Sequence, residues 1–235
     1  MNCFIKKGFL LLVVCFVVST ARAQIGYDYA QYDVGFAAGI NKVYGDAETF
    51  TQTQSIHFNL NYNVSPFVNY VFELQLGQLK GGDSLKTLSG RQFTNDFTSV
   101  MFRGQVQLGE LVDYSQNPMY NAFKNLYLSV GLGFVVNHLT EANRYSVLVP
   151  GYYSPGSNNS NEILIPARIG YEFKIYNKFN EPSFKVDVGY QYNFILGDNL
   201  DGYTVGNKND AYSQITIGVK FALGGITSYR KLITY

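Results

Sequence analysis

Charged residues make up only 15% of this chain of 235 residues, yet several of them recur in one kind of position. Glu73, Arg103, Arg168, Glu172, Lys174, Lys185, Asp187 and Lys220 each fill the polar slot of a run in which every second residue is apolar. His57 shares that parity. Carboxylates and cations collected on one enclosed face have two uses. They can neutralise one another in a rigid network, or they can line a narrow path for an ion or small solute. Glu73 and Arg103 lie at matching heights on what read as adjacent strands, so they are expected to pair across them. His57 reads as a hydrogen-bonded interior residue, since its surroundings in sequence offer no partner ligands for a metal.

Other chemistry is thinly supported. His138, with Glu141 and Ser146 nearby in sequence, could serve a lipid acyltransferase or protease at a rim, but no Ser/His/Asp arrangement accompanies it. Gly131-x-Gly133 sits inside a strand pattern and reads as small residues facing an interior rather than as a nucleotide loop. Asp198-Asn199-Leu200-Asp201-Gly202 has the flavour of a calcium loop but lacks the spacing and the closing glutamate, and reads as an ordinary exposed turn. No cofactor or metal is expected, and the formal charge of +1 gives no reason to expect a nucleic-acid partner.

The elements that carry these residues alternate with period 2, as strands do when their two faces meet different surroundings. Eight segments show it. They lie near Asp33–Asn41, Ser55–Val64, Asn69–Gly77, Ser99–Leu108, Leu126–Asn137, Glu162–Ile175, Phe184–Phe194 and Gln214–Leu223. Between them, short turns such as Val64-Ser65-Pro66-Phe67 alternate with long loops rich in Gly, Asn, Asp and Ser. One longer connection of the short-turn side, Glu110–Lys124, has room for a helical turn near Pro118–Phe123. Tyr44 and Tyr212 read as interfacial aromatics on the loop side, and Tyr70, Phe184 and Tyr171–Phe173 on the turn side.

Volume decides which face is inside. An eight-stranded barrel has an interior only just wide enough to be filled by side chains. The apolar set is dominated by Phe, Tyr, Leu and Ile and would not fit. The set rich in Gly, Ser and Asn would. The apolar face therefore points outward, and segments of about ten residues suit strands that cross a bilayer at a tilt. A soluble carrier of the lipocalin type, with apolar residues inward, is the reading this excludes.

At the N-terminus, Lys6 and Lys7, the apolar run Gly8–Val18 and Ala21-Arg22-Ala23 form a secretory signal peptide over residues 1–23. Both cysteines, Cys3 and Cys15, lie within it. The exported chain then has no disulfide, and with 15 basic against 17 acidic residues it is mildly acidic.

The signal peptide, the eight alternating segments and the runs Gly131-Leu132-Gly133-Phe134 and Gly218-Val219-Lys220-Phe221-Ala222-Leu223 resemble small Gram-negative outer-membrane barrels: the OmpA N-terminal barrel, OmpX and the PorT-like group. The resemblance implies an all-β fold, an eight-stranded antiparallel up-and-down transmembrane β-barrel, in the cell outer membrane. It also implies outer-membrane lipid and the outer-membrane assembly machinery as partners, and loops open to an extracellular ligand. Residues 24–235 form the barrel domain, with the barrel over about 32–223 and a short tail at 224–235. No peptidoglycan-binding segment follows, unlike the full OmpA pattern. The expected role is non-enzymatic, structural or surface-interacting, with a lumen plugged by charged side chains. The alternatives are a small pore or secretion-associated barrel, and a rim enzyme using His138.

Overall fold

The computed structural model describes residues 26–114, 117–178, 182–205 and 209–230. The expected signal peptide lies outside the described residues. The strands are β1 (Gly26–Tyr44), β2 (Phe50–Thr51), β3 (Thr53–Asn63), β4 (Val68–Gly82), β5 (Gln92–Gln107), β6 (Leu126–Asn143), β7 (Asn159–Tyr176), β8 (Pro182–Ile195) and β9 (Ala211–Arg230). β2 is a two-residue prelude to β3, so the wall has eight staves. Each long strand pairs antiparallel with its neighbours in chain order, and β1 pairs with β9 to close the ring. Closure leaves no strand edge to be satisfied by lipid or by another chain.

One end carries tight connections. Val64–Phe67 turns with the Ser65 hydroxyl accepting from the N–H of Phe67 and of Val68, at 3.1 and 3.0 Å. The next connection holds α1 (Leu108–Leu111) and α2 (Pro118–Phe123), the latter capped by the Asn117 side chain. The helical turn expected near Pro118–Phe123 is thus where the sequence places it. The opposite end carries the loops at 45–49, 83–91 and 144–158, and a fourth whose described residues are 196–205 and 209–210.

Two boundaries differ from the sequence reading. β9 does not stop at Leu223 but runs on to Arg230, paired with Gly26–Ala30, which precede the expected barrel start near residue 32. A register shift between Ala30 and Tyr32, opposite Gly224 at φ +83, lets the pair bend before it continues. Residues 231–235 of the expected tail lie outside the described residues.

The side chains divide as volume demands. Leu128, Leu132 and Phe134 are about two-thirds exposed on the outer wall, and Phe36, Ile56, Phe102 and Ile217 lie there too. On β6 the outward apolar run spans Leu126 to Val136. Ten residue steps of about 3.3 Å at a tilt of about 40° give a belt of about 25 Å, the height of a transmembrane barrel's apolar band. Above it the outward positions turn polar, with Gln78 donating to Asp96 at 2.7 Å and His138 hydrogen-bonded to Asn159 at 2.6 Å. No helix is long and apolar enough to cross a membrane among the described residues, so the strands do the crossing. The molecule is an eight-stranded antiparallel transmembrane barrel.

Candidate functional site: a charged interior beneath a loop cap

The barrel interior is built in layers, and the lower layer holds the charges. Glu73 on β4 and Arg103 on β5, 3% and 2% exposed, form a salt bridge. Glu73 also meets His57 Nδ1 at 3.0 Å, while Ser55 and His57 Nε2 are 2.9 Å apart. Across the lumen, Arg168 on β7 pairs with Asp187 on β8. The Tyr127 hydroxyl donates to Asp187 at 3.0 Å and accepts from Arg168 Nε at 2.6 Å. Lys220 on β9 bridges Glu172 at 2.5 Å and Asp187 at 3.0 Å.

Lys185 reaches over β9 to Asp33 on β1 at 2.6 Å. Lys174 sits lowest, donating to Gln107 Oε1 at 2.7 Å with its ammonium 4.7 Å from the Phe67 ring centre. Every residue expected in the charge network, and His57, therefore faces the interior. Asp33 and Tyr127 join them. Four carboxylates (Asp33, Glu73, Glu172, Asp187) meet five cations (Arg103, Arg168, Lys174, Lys185, Lys220) in one enclosed space.

Glycines make that density of long side chains possible. A Cβ on Gly189 would lie 2.7 Å from Arg168 Nε, and one on Gly131 would meet Arg103 Cγ at 2.8 Å. Among the described residues this layer holds a cavity of about 10 Å³, lined among others by His57, Glu73, Arg103, Arg168, Asp187 and Lys220. That is about the room one water molecule needs.

The upper layer departs from the expected polar lumen. Val43, Leu79, Phe93, Phe97, Met101, Val135, Leu139, Leu164, Ile195 and Tyr212 point inward as one buried apolar cluster. Tyr212 is fully buried against Phe97, with ring centres 5.3 Å apart, and is no interfacial aromatic. The cluster begins inside the top of the outer apolar belt, with Val135 between outward Phe134 and Val136, and the strands carry it on above the belt. The wall becomes wettable outside, and the inside becomes the core of a water-soluble structure.

The fourth loop caps this cluster. It is not the exposed turn the sequence suggests: Leu200, Asp201 and Tyr203 are fully buried. Leu200 and Tyr203 enter the barrel mouth and complete the apolar cluster. The Tyr203 hydroxyl is within 2.9 Å of Gln92 O and 2.8 Å of Asn143 O, and Asn95 donates to Leu200 O at 2.6 Å. Asp201 accepts the N–H of Asp46 at 2.6 Å and of Tyr203 at 3.0 Å, tying the fourth loop to the first. Among the described residues no group of three His, Cys, Asp or Glu is placed to hold a metal ion.

The second and third loops lock together beyond the cap. Ser146 donates to Leu88 O at 2.7 Å, and Arg91 Nε donates to Ser154 at 3.0 Å. Their tips leave Leu85, Leu88, Tyr145, Val147, Leu148 and Tyr153 exposed. His138 is apart from all this, on the outer wall.

No protein-family model matches the chain, and no curated protein does. Among solved structures it is similar to Neisserial surface protein A, at 15% identity over 83% of this chain and 98% of that one, with a TM-score of 0.48. It is similar to the attachment invasion locus protein Ail of Yersinia pestis, at 9% identity over 82% and 98%, with a TM-score of 0.43. The outer membrane protein OprG of Pseudomonas aeruginosa is similar at 12% identity over 84% and 99%, with a TM-score of 0.36. These neighbours are small barrels of the kind the sequence resembles. All three scores fall below 0.5, so the fold rests on this chain's own strand pairing and side-chain partition.

Proposed function

We propose that the chain is an integral protein of the cell outer membrane that neither conducts nor catalyses, and that serves as a rigid stave-walled base for its extracellular loops. The partition of side chains carries this reading. Leu128 and Leu132 look outward across a belt of about bilayer height while Glu73, Arg103 and Arg168 are enclosed, an arrangement stable only with lipid outside. Sealing follows from the lower charge network, the upper apolar cluster and the fourth loop stacked on one axis. The surface role is supported by the braced tips of the second and third loops, where Leu85 is 72% exposed. Contiguous apolar patches away from the membrane belt usually mark contact surfaces. Outer-membrane lipid and the assembly machinery are the partners this implies, with an extracellular ligand at the loop tips.

His138 has an asparagine for its hydrogen-bond partner and faces outward, which suits a wall residue better than a catalytic base. A His138→Ala variant is expected to leave lipid composition unchanged.

Fractionation of cells, followed by gels run with and without boiling, tests the placement. The protein should stay with the outer membrane after carbonate washing and shift mobility on heating. Extraction without detergent would return it to the soluble class. Planar-bilayer recording tests the seal: steady single-channel steps at neutral pH would favour the small-pore or PorT-like alternative.

A further inference from the structure

We propose that the fourth-loop cap is a proton-held latch, in which Asp201 and Asp210 keep Leu200 and Tyr203 seated in the barrel mouth while protonated and release them once both are ionised. Both carboxyls are buried. They converge on Gly45: a Cβ there would lie 2.6 Å from Asp201 Oδ2 and 2.7 Å from Asp210 Oδ1. The two oxygens are therefore no more than the sum of those distances apart, about 5 Å.

Each carboxyl also organises the cap. Asp201 takes the N–H of Asp46 and of Tyr203, and Asp210 takes the N–H of Leu200 at 2.9 Å. The same two groups that seat the apolar cork thus sit close together in a buried site.

The surroundings add negative charge. Asp46 from the first loop, Asp198 from the fourth and Glu162 from β7 face the pair, with the Tyr203 phenol alongside. Among the described residues the nearby cations, Arg91 and Arg144, are turned to neutral acceptors. Arg91 donates to Asp46 O, Ser154 Oγ and Tyr152 OH, and Arg144 donates to Gly202 O. Among the described residues no cation forms a salt bridge with either carboxyl. Lys208 lies outside the described residues.

Two like charges so close cannot both ionise cheaply. Burial first, and the neighbouring carboxylates with it, push Asp201 up to about 7 and Asp210 up to about 9. A solvated aspartate sits near about 3.9.

The sign follows from linkage. The closed cap binds protons that the open cap gives up, so closure is complete in acid. It weakens as pH rises above about 4 and has lost this support above about 9. With both protons retained the closed-to-open ratio falls about a hundredfold per pH unit up to about 7, and with one retained it falls about tenfold per unit from there to about 9.

The latch deepens the sealed-barrel reading, but its test reads the cap alone. The chain's two cysteines are Cys3 and Cys15, so a single reporter can be added to the exported protein. Val43→Cys places a thiol on β1 beneath the cap, at a fully buried position. Leu139→Cys gives a second reporter on β6, and Leu85→Cys gives an exposed reference. The folded barrel in detergent with chelator is treated with a bulky, charged methanethiosulfonate from pH 6 to 9.5.

The ratio of buried to exposed labelling should rise at least tenfold across that range. In an Asp201→Asn/Asp210→Asn background it should stay low and flat, because Asn keeps the acceptor oxygen and cannot ionise. A flat ratio in the native background, or an equal rise in the double variant, overturns the latch. Conductance at pH 6 would defeat the seal and leave this ratio free to decide the latch.

Discussion

Asp187 is held by two cations and a phenol at once: Arg168, Lys220 and Tyr127. Replacing one buried partner leaves the others uncompensated, which typically costs about 3–5 kcal/mol. Asp187→Asn is therefore expected to lower barrel stability by roughly that amount, read as a shift in the urea midpoint of unfolding in detergent. Gly189 makes a separate demand on the same place. An added leucine side chain would push the Arg168 guanidinium from Asp187, so Gly189→Leu should weaken the barrel while Gly104→Leu, with no atom within 4 Å of its Cβ, should not. The Glu73–Arg103 pair was legible in the sequence because both residues take the inward parity at similar heights on adjacent strands, although the register sets Arg103 opposite Val71 and Glu73 opposite Met101, so the pair forms on the diagonal. The Lys185–Asp33 pair was not. Its partners are 152 positions apart and reach across an intervening strand, which no pairwise register could reveal.

Strands declare one face easily and a second face poorly. The outward side of each stave was readable because apolar residues recur at most of its outward positions. The upper interior was missed because alternation there fails: Val135-Val136, Ile163-Leu164-Ile165 and Phe194-Ile195-Leu196 are apolar on both faces. Such doublets at the loop ends of strands are the signal of a buried upper layer. Tyr212 could also have been placed from parity alone, since Ile215 and Ile217 point outward. The fourth loop was unreadable for a different reason. Its Gly, Asn and Asp content matches an exposed turn, and only tertiary contacts reveal that Leu200 and Tyr203 fill the mouth. Tyr203 provides the check on that element. Tyr203→Phe removes the hydroxyl that joins Gln92 and Asn143 while preserving the ring. A loss of about 0.5–1.5 kcal/mol of local stability is expected, seen as faster amide exchange in the fourth loop with little change in global unfolding.

The whole barrel inverts the rule of a soluble core below its loop end and obeys it above, and the boundary lies where outward side chains turn polar at Gln78, Asp96 and His138. That boundary makes the orientation testable on a single strand. Leu132 lies near the middle of the outward apolar run of β6, between Leu126 and Val136, and Thr140 lies on the same face above it. If acyl chains surround the run, an arginine near the midplane costs about 2–4 kcal/mol, whereas one near or beyond the interface costs about 0–1 kcal/mol. In water the two positions would be equivalent, since both are exposed and surface substitutions usually stay within about 0.5 kcal/mol. Leu132→Arg should therefore fold into lipid vesicles with a clearly lowered denaturant midpoint, and Thr140→Arg with nearly none. Equal, small effects at both positions would mean that the outer wall meets solvent. The enclosed charges, the seal and the surface role would then lose their common physical cause.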